Sequence, residues 1–286
     1  MNYDQLLDRF VDWAQIQEDI VGAIIVGSQA RTTPPADQWS DLDLVIITTD
    51  VGRYLTQTNW IAELGPYWLN FIEKQGVGEG FEHRVLFAGG MDVDFVPTPY
   101  AEIEQIIAQG WPPDWAGVLQ RGYKLILDKQ DLAHQLPSVD STPPPAAKPP
   151  TAQEFDNVCH DFLYHAVWTT KKLRRGELWV AKGCLDMYMK HLLLQMIEWH
   201  TRTIHGWDYD VWHRGRFLEK WADPRITGDL KQAFAHYDES EVKQALFATL
   251  ALFRWVAEET AEKLEYSYPL EGNRHVTEWL TACWNE

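Results

Sequence analysis

Apolar residues recur along this chain with two different periods, and the change of period falls in one place. Before residue 137 they gather in short β-branched runs bounded by turn residues: "VGAIIVGS" (21–28), "LDLVIIT" (42–48) and "HRVLFAGGMDVDFVP" (83–97). Such runs predict strands. The first twenty residues, "TNWIAELGPYW" (58–68) and "YAEIEQIIAQG" (100–110) carry apolar positions at helical spacing instead. Beyond residue 151 strand signals almost vanish. "FDNVCHDFLYHAVWTTKKLRRGELWVAKGCLDMYMKHLLLQMIEWHTRTIHGW" (155–207), "DLKQAFAHYD" (229–238) and "EVKQALFATLALFRWVAEETAEKLEY" (241–266) place apolar residues three and four apart, the pattern of a helical bundle. Between the halves lies "PSVDSTPPPAAKPPT" (137–151), whose prolines lack the amide donor and fix φ. The pattern predicts an α+β protein with domains at 1–136 and 152–286, joined by a Pro-rich linker at 137–151. The first holds a small mixed sheet flanked by helices; the second is a helical bundle.

Composition narrows the classes. At 286 residues two cores are affordable. No apolar run reaches the roughly 18 residues of a membrane span, and the N-terminus lacks the basic start and apolar centre of a signal peptide. A cytoplasmic location is expected. Three scattered cysteines, Cys159, Cys184 and Cys283, suggest neither a disulfide framework nor a zinc site. With 42 acids against 25 bases, the net charge of −17 opposes a nucleic-acid partner and favours small cations. "GVGEG" (76–80) precedes a strand instead of following one, so a dinucleotide loop is excluded by its context.

The chemistry sits where an apolar strand ends. Gly27 and Ser28 close the run at 21–28, and the turn that follows would present backbone amides and a hydroxyl to an anion. An ordinary turn with a serine cap explains the same pair. The residues around them decide between the two. Asp41 and Asp43 alternate with Leu42 and Leu44, so both carboxylates leave one face of a strand, with Cα atoms about 7 Å apart. Side by side they repel unless a divalent cation lies between them, and Mg²⁺ takes such hard oxygen ligands together with substrate phosphates. Asp94, in "GGMDVDFVP", lies between Val93 and Phe95 in another expected strand, where a lone carboxylate is costly. It becomes the third ligand. Asp92 shares its face.

A Gly-Ser turn, Asp-x-Asp on the next strand and Asp on a later one together resemble the DNA polymerase beta nucleotidyltransferase superfamily. Over roughly residues 1–270 the chain is similar to the bacterial streptomycin 6-adenylyltransferases, most specifically in the Gly-Ser and Asp-x-Asp segment, "KKLRRGEL" (171–178) and "RFLEKW" (216–221). It departs from them at "DMYMKH" (186–191) and "VDFVP" (93–97).

The resemblance implies transfer of AMP from ATP to a hydroxyl of an aminoglycoside, an antibiotic-modifying reaction. It assigns Asp41, Asp43 and Asp94 as catalytic and metal-binding acids, Ser28 as a triphosphate contact and Lys171 as a basic residue beside the triphosphate. Two Mg²⁺ ions about 4 Å apart are expected, with Asp94 also drawing off the acceptor proton. Gly27 lets the backbone approach the nucleotide, and Arg31 and Lys171 either neutralise its charge or are solvated surface cations.

For a cationic acceptor the helical half should offer acids. Asp186 leads among them, since Met189 and Leu193 lie on its helix stripe, although a Lys182–Asp186–Lys190 ladder of i,i+4 pairs is the stronger competing explanation. Glu177 and Glu82 follow, and Trp179 is expected in the core. A lincosamide or a protein as acceptor, or nucleotide binding without catalysis, are the competing readings. A monomer is expected.

Overall fold

The computed structural model describes residues 1–31, 35–76, 80–139 and 146–284. Residues 77–79 of "GVGEG" and 140–145 of the Pro-rich segment therefore lie outside the described residues. The chain divides into two compact units, Met1–Pro144 and Pro145–Glu286, and the molecule is α+β.

The first unit is built on six strands: β1 (Ile20–Val26), β2 (Leu42–Thr48), β3 (Tyr67–Lys74), β4 (Phe81–Phe87), β5 (Met91–Pro99) and β6 (Lys124–Asp128). Their order in the sheet is β3-β4-β5-β2-β1-β6. β2 and β5 run parallel, whereas the other neighbours are antiparallel, so the sheet is mixed. Every residue of β1 is buried, which is why it reads as an unbroken apolar run. Ala23 and Ile25 face one core with Phe10, Trp60 and Phe95; Ile24 and Val26 face another with Val45, Ile103 and Leu132. Helix Tyr3–Gln15 covers the first face and is closed by a capping box from Asn2 and Gln5. Trp60 anchors that layer, stacked on Trp13 with centroids 5.6 Å apart and edge-on to Phe95 at 4.9 Å.

Two strands escape the apolar pattern. The helical spacing at 58–68 ends at Leu64; Gly65 and Pro66 break it, and Tyr67 begins β3. β3 is an edge strand exposed along most of both faces, so burial imposes no alternation on it. β6, at the opposite edge, is short and only partly covered.

The second unit is helical among its described residues. Helix Ala152–Arg174 starts at a Thr151–Glu154 capping box and packs against Lys190–His205 and Glu239–Leu264. At its centre Phe162 and Phe253 stack with centroids 3.7 Å apart. Between helices Leu178–Gly183 and Lys190–His205 the backbone widens into a π-helical turn, Cys184–Met189. No described helix is long and apolar enough to cross a membrane.

Candidate active site

Strand register brings the three acids together. Val26 pairs with Asp43, and Asp43 pairs in parallel with Asp94, while Asp41 sits just ahead of β2. One carboxylate oxygen from each of Asp41, Asp43 and Asp94 lies within 4.8 Å of the others. Asp92 leaves β5 exposed, its backbone tied to the Tyr3 hydroxyl.

The Gly-Ser turn abuts this cluster. Gly27 has φ +66°, and a Cβ there would lie 2.0 Å from Asp43 Oδ2. Only glycine fits both the left-handed backbone and the close approach. The Ser28 hydroxyl lies 2.9 Å from the Asp41 carbonyl and 3.2 Å from Asp41 Oδ1, so it orients Asp41 directly. Gly27 O accepts from the amides of Ala30 and Arg31, and Lys124 Nζ donates to Gln29 O at 2.8 Å. These contacts hold the turn, and Arg31 follows it immediately.

Asp94 is 4% exposed. Its Oδ1 is buried without a hydrogen-bond partner, and its Oδ2 lies 3.1 Å from Arg84 Nη2. Burial pushes its carboxyl up to about 7; Arg84 opposes that shift, and Glu82, Asp43 and Asp92 add to it. A buried, partnerless carboxylate oxygen beside two more carboxylates fits a divalent cation, whose charge would offset both the desolvation and the mutual repulsion. Glu82 lies on the same sheet face, nearly buried, with Oε1 accepting from Arg84 Nε at 2.9 Å.

Lys171, Glu177 and Asp186 belong to the helical unit. Lys171 Nζ lies 5.8 Å from the Trp279 ring centroid. Glu177 is held by Lys172 at 2.8 Å and Arg175 at 2.5 Å, which draw its carboxyl below the usual range. Asp186 lies in the π-helical turn, bonded to Lys182 with Lys190 Nζ at 3.9 Å, so the lysine ladder is formed. Trp179 corrects an expectation: it is 79% exposed, outside the core, with Tyr237 edge-on at 6.3 Å. A large indole favours burial, but its short helix, Leu178–Gly183, buries only Ala181.

Arg84 was missed by sequence reasoning. The available signal was a basic residue two positions from Glu82 on one strand, hence on one face with it; nothing local shows that this face meets Asp94.

The chain matches the streptomycin adenylyltransferase family over residues 1–283. It is 26% identical over 275 residues to an aminoglycoside 6-adenylyltransferase of Bacillus subtilis (strain 168), covering 93% of this chain and 92% of that one. It is 22% identical over 273 residues to a protein of the same name from Campylobacter jejuni, covering 93% and 90%. A crystal structure of an aminoglycoside 6-adenyltransferase from Bacillus subtilis aligns over the full length of both chains at 22% identity, with a TM-score of 0.48. The match over nearly the whole sequence places this chain in the streptomycin adenylyltransferase family, a family of nucleotidyltransferase enzymes.

Proposed function

We propose that this protein transfers AMP from ATP to a hydroxyl of an aminoglycoside, with streptomycin as the leading acceptor, and releases pyrophosphate. The observation that carries the reading is the convergence of Asp41, Asp43 and Asp94 within 4.8 Å beside the Gly27–Ser28 turn. The family membership and the names of the relatives support the same chemistry.

In this reading the three aspartates hold two Mg²⁺ ions, which when bound neutralise phosphate charge and favour the ionised acceptor hydroxyl. The protein's own groups do the rest. The amides of the Gly27–Gln29 turn receive the triphosphate, with Ser28 fixing Asp41 at its edge. Arg31 adds positive charge for the phosphates, a role that the family resemblance also gives to Lys171. Asp94, whose Oδ1 is buried beside the other two acids, is the group placed to draw off the acceptor proton. Among the acceptor-binding acids, Glu82 shares the sheet face of the triad. Glu177 and Asp186 are already ion-paired, so a cationic acceptor must displace or share their basic partners.

The test is incubation with Mg²⁺, ATP and, separately, streptomycin, spectinomycin, kanamycin and lincomycin, followed by mass analysis of the drug. An AMP adduct on streptomycin is expected, and Asp43→Ala should lower its rate by at least about a hundredfold, in the range of lost electrostatic stabilisation at an active centre. ATP binding without turnover would defeat the catalytic reading; an adduct on lincomycin alone would defeat the acceptor assignment.

A further inference from the structure

Arg84 lies on β4 directly opposite Asp94 on β5, and its guanidinium reaches acids from three neighbouring strands. Nη2 lies 3.1 Å from Asp94 Oδ2, and Nε lies 2.9 Å from Glu82 Oε1 and 3.0 Å from Glu73 Oε2. Arginine suits the place because its planar fork can hold several carboxylates at fixed angles, whereas an ammonium offers one point of charge. The contact leaves Asp94 asymmetric. Oδ2 is engaged, and Oδ1 is buried with no hydrogen-bond partner. A carboxylate gripped at one oxygen cannot turn freely, so its other oxygen is presented in one direction.

We propose that Arg84 is a positioning residue for the reaction at the acid triad: it grips Asp94 through Oδ2, so that Oδ1 is offered to the divalent ion and the acceptor. The proposal rests on reading the triad as the metal site of an adenylyl transfer. Two consequences have opposite signs. Without the grip, Asp94 loses its orientation and turnover falls. The guanidinium is also a cation beside the site, so removing its charge strengthens the attraction of the remaining acids for a divalent ion. A residue that merely propped up the sheet would weaken ion binding and turnover together.

The experiment compares wild type with Arg84→Gln and Arg84→Lys, measuring Mn²⁺ binding to the full chain by electron paramagnetic resonance, and AMP transfer separately. Arg84 is 37% exposed in its side chain, and circular dichroism checks that each variant is folded. Arg84→Gln should lower kcat at least about tenfold, as a small misplacement of a reacting group does, with little change in the KM for ATP and with Mn²⁺ bound several-fold more tightly. Arg84→Lys should return Mn²⁺ affinity close to wild type while kcat recovers only in part.

Wild-type kcat in Arg84→Lys, or Mn²⁺ affinity falling in step with kcat in Arg84→Gln, overturns the proposal. If Arg84→Gln does not fold, the lysine variant decides by its kcat. If wild type modifies no acceptor, the functional reading fails separately: tighter Mn²⁺ binding in Arg84→Gln, reversed in Arg84→Lys, still places the guanidinium at the ion site. A wild type that binds no Mn²⁺ overturns the metal reading and this inference together.

Discussion

Gly27 shows how narrowly single positions are set. Its backbone is left-handed, and the place where a Cβ would stand is taken by Asp43 Oδ2. Gly27→Ala is expected to destabilise the fold by about 1–3 kcal/mol, the usual cost of a forced backbone conformation, and to push Asp43 out of the cluster. Thermal melting checks the first effect. Mn²⁺ titration checks the second, and unchanged affinity would mean that Asp43 does not serve the ion. In the sequence Gly27, Ser28, Asp41 and Asp43 are legible, because a turn signal and a period-two alternation are local patterns. Arg84 is not, since a charged residue in a strand looks the same whether it faces water or a buried carboxylate.

At the scale of elements, the parallel pairing of β2 with β5 is what sets Asp43 opposite Asp94. A slip of one residue would send Asp94 to the other face. The apolar alternation of Val93 and Phe95, both fully buried, holds that register. In the helical unit the π-helical turn Cys184–Met189 leads into Lys190, which is 9% exposed, with Nζ donating to Thr249 Oγ1 at 2.9 Å. Burial lowers its pKa from 10.5 to about 8.

The consequence for stability has a definite sign. Below about pH 8 the lysine is charged in both folded and unfolded chains, and the desolvation penalty is carried in full. From pH 8 to 10.5 the unfolded chain binds the proton that the folded one has lost, so this group's contribution to stability rises with pH. In urea unfolding, the stability of wild type relative to Lys190→Met should therefore increase across that window. A constant difference would show that Lys190 titrates normally.

For the whole molecule, each unit encloses apolar clusters of its own. Residues 1–139 and 146–286, produced separately, are each expected to unfold in one cooperative transition, as units with complete cores do. Circular dichroism against urea reads this directly. A fragment without a sigmoidal transition would show that its core needs the other unit.

What the sequence determined by itself follows from short-range physics. Side-chain period separates strands from helices wherever one face is buried, prolines mark the break, and the Gly-Ser and Asp-x-Asp spacings mark the turn and the acids that meet beside it. The edge strand β3 escaped because neither of its faces is buried enough to impose a pattern. Tertiary structure decided which of the expected contacts form, and it added one that no local pattern shows. It set Asp94 within reach of Asp41 and Asp43, drew Arg84 onto Asp94 across two strands, and locked Asp186 between Lys182 and Lys190. The first two depend on strand order and register, which arise when apolar faces at remote positions are buried together. The third satisfies local i,i+4 spacing, yet only the packed helix shows that Asp186 is partly buried and engaged rather than open to solvent.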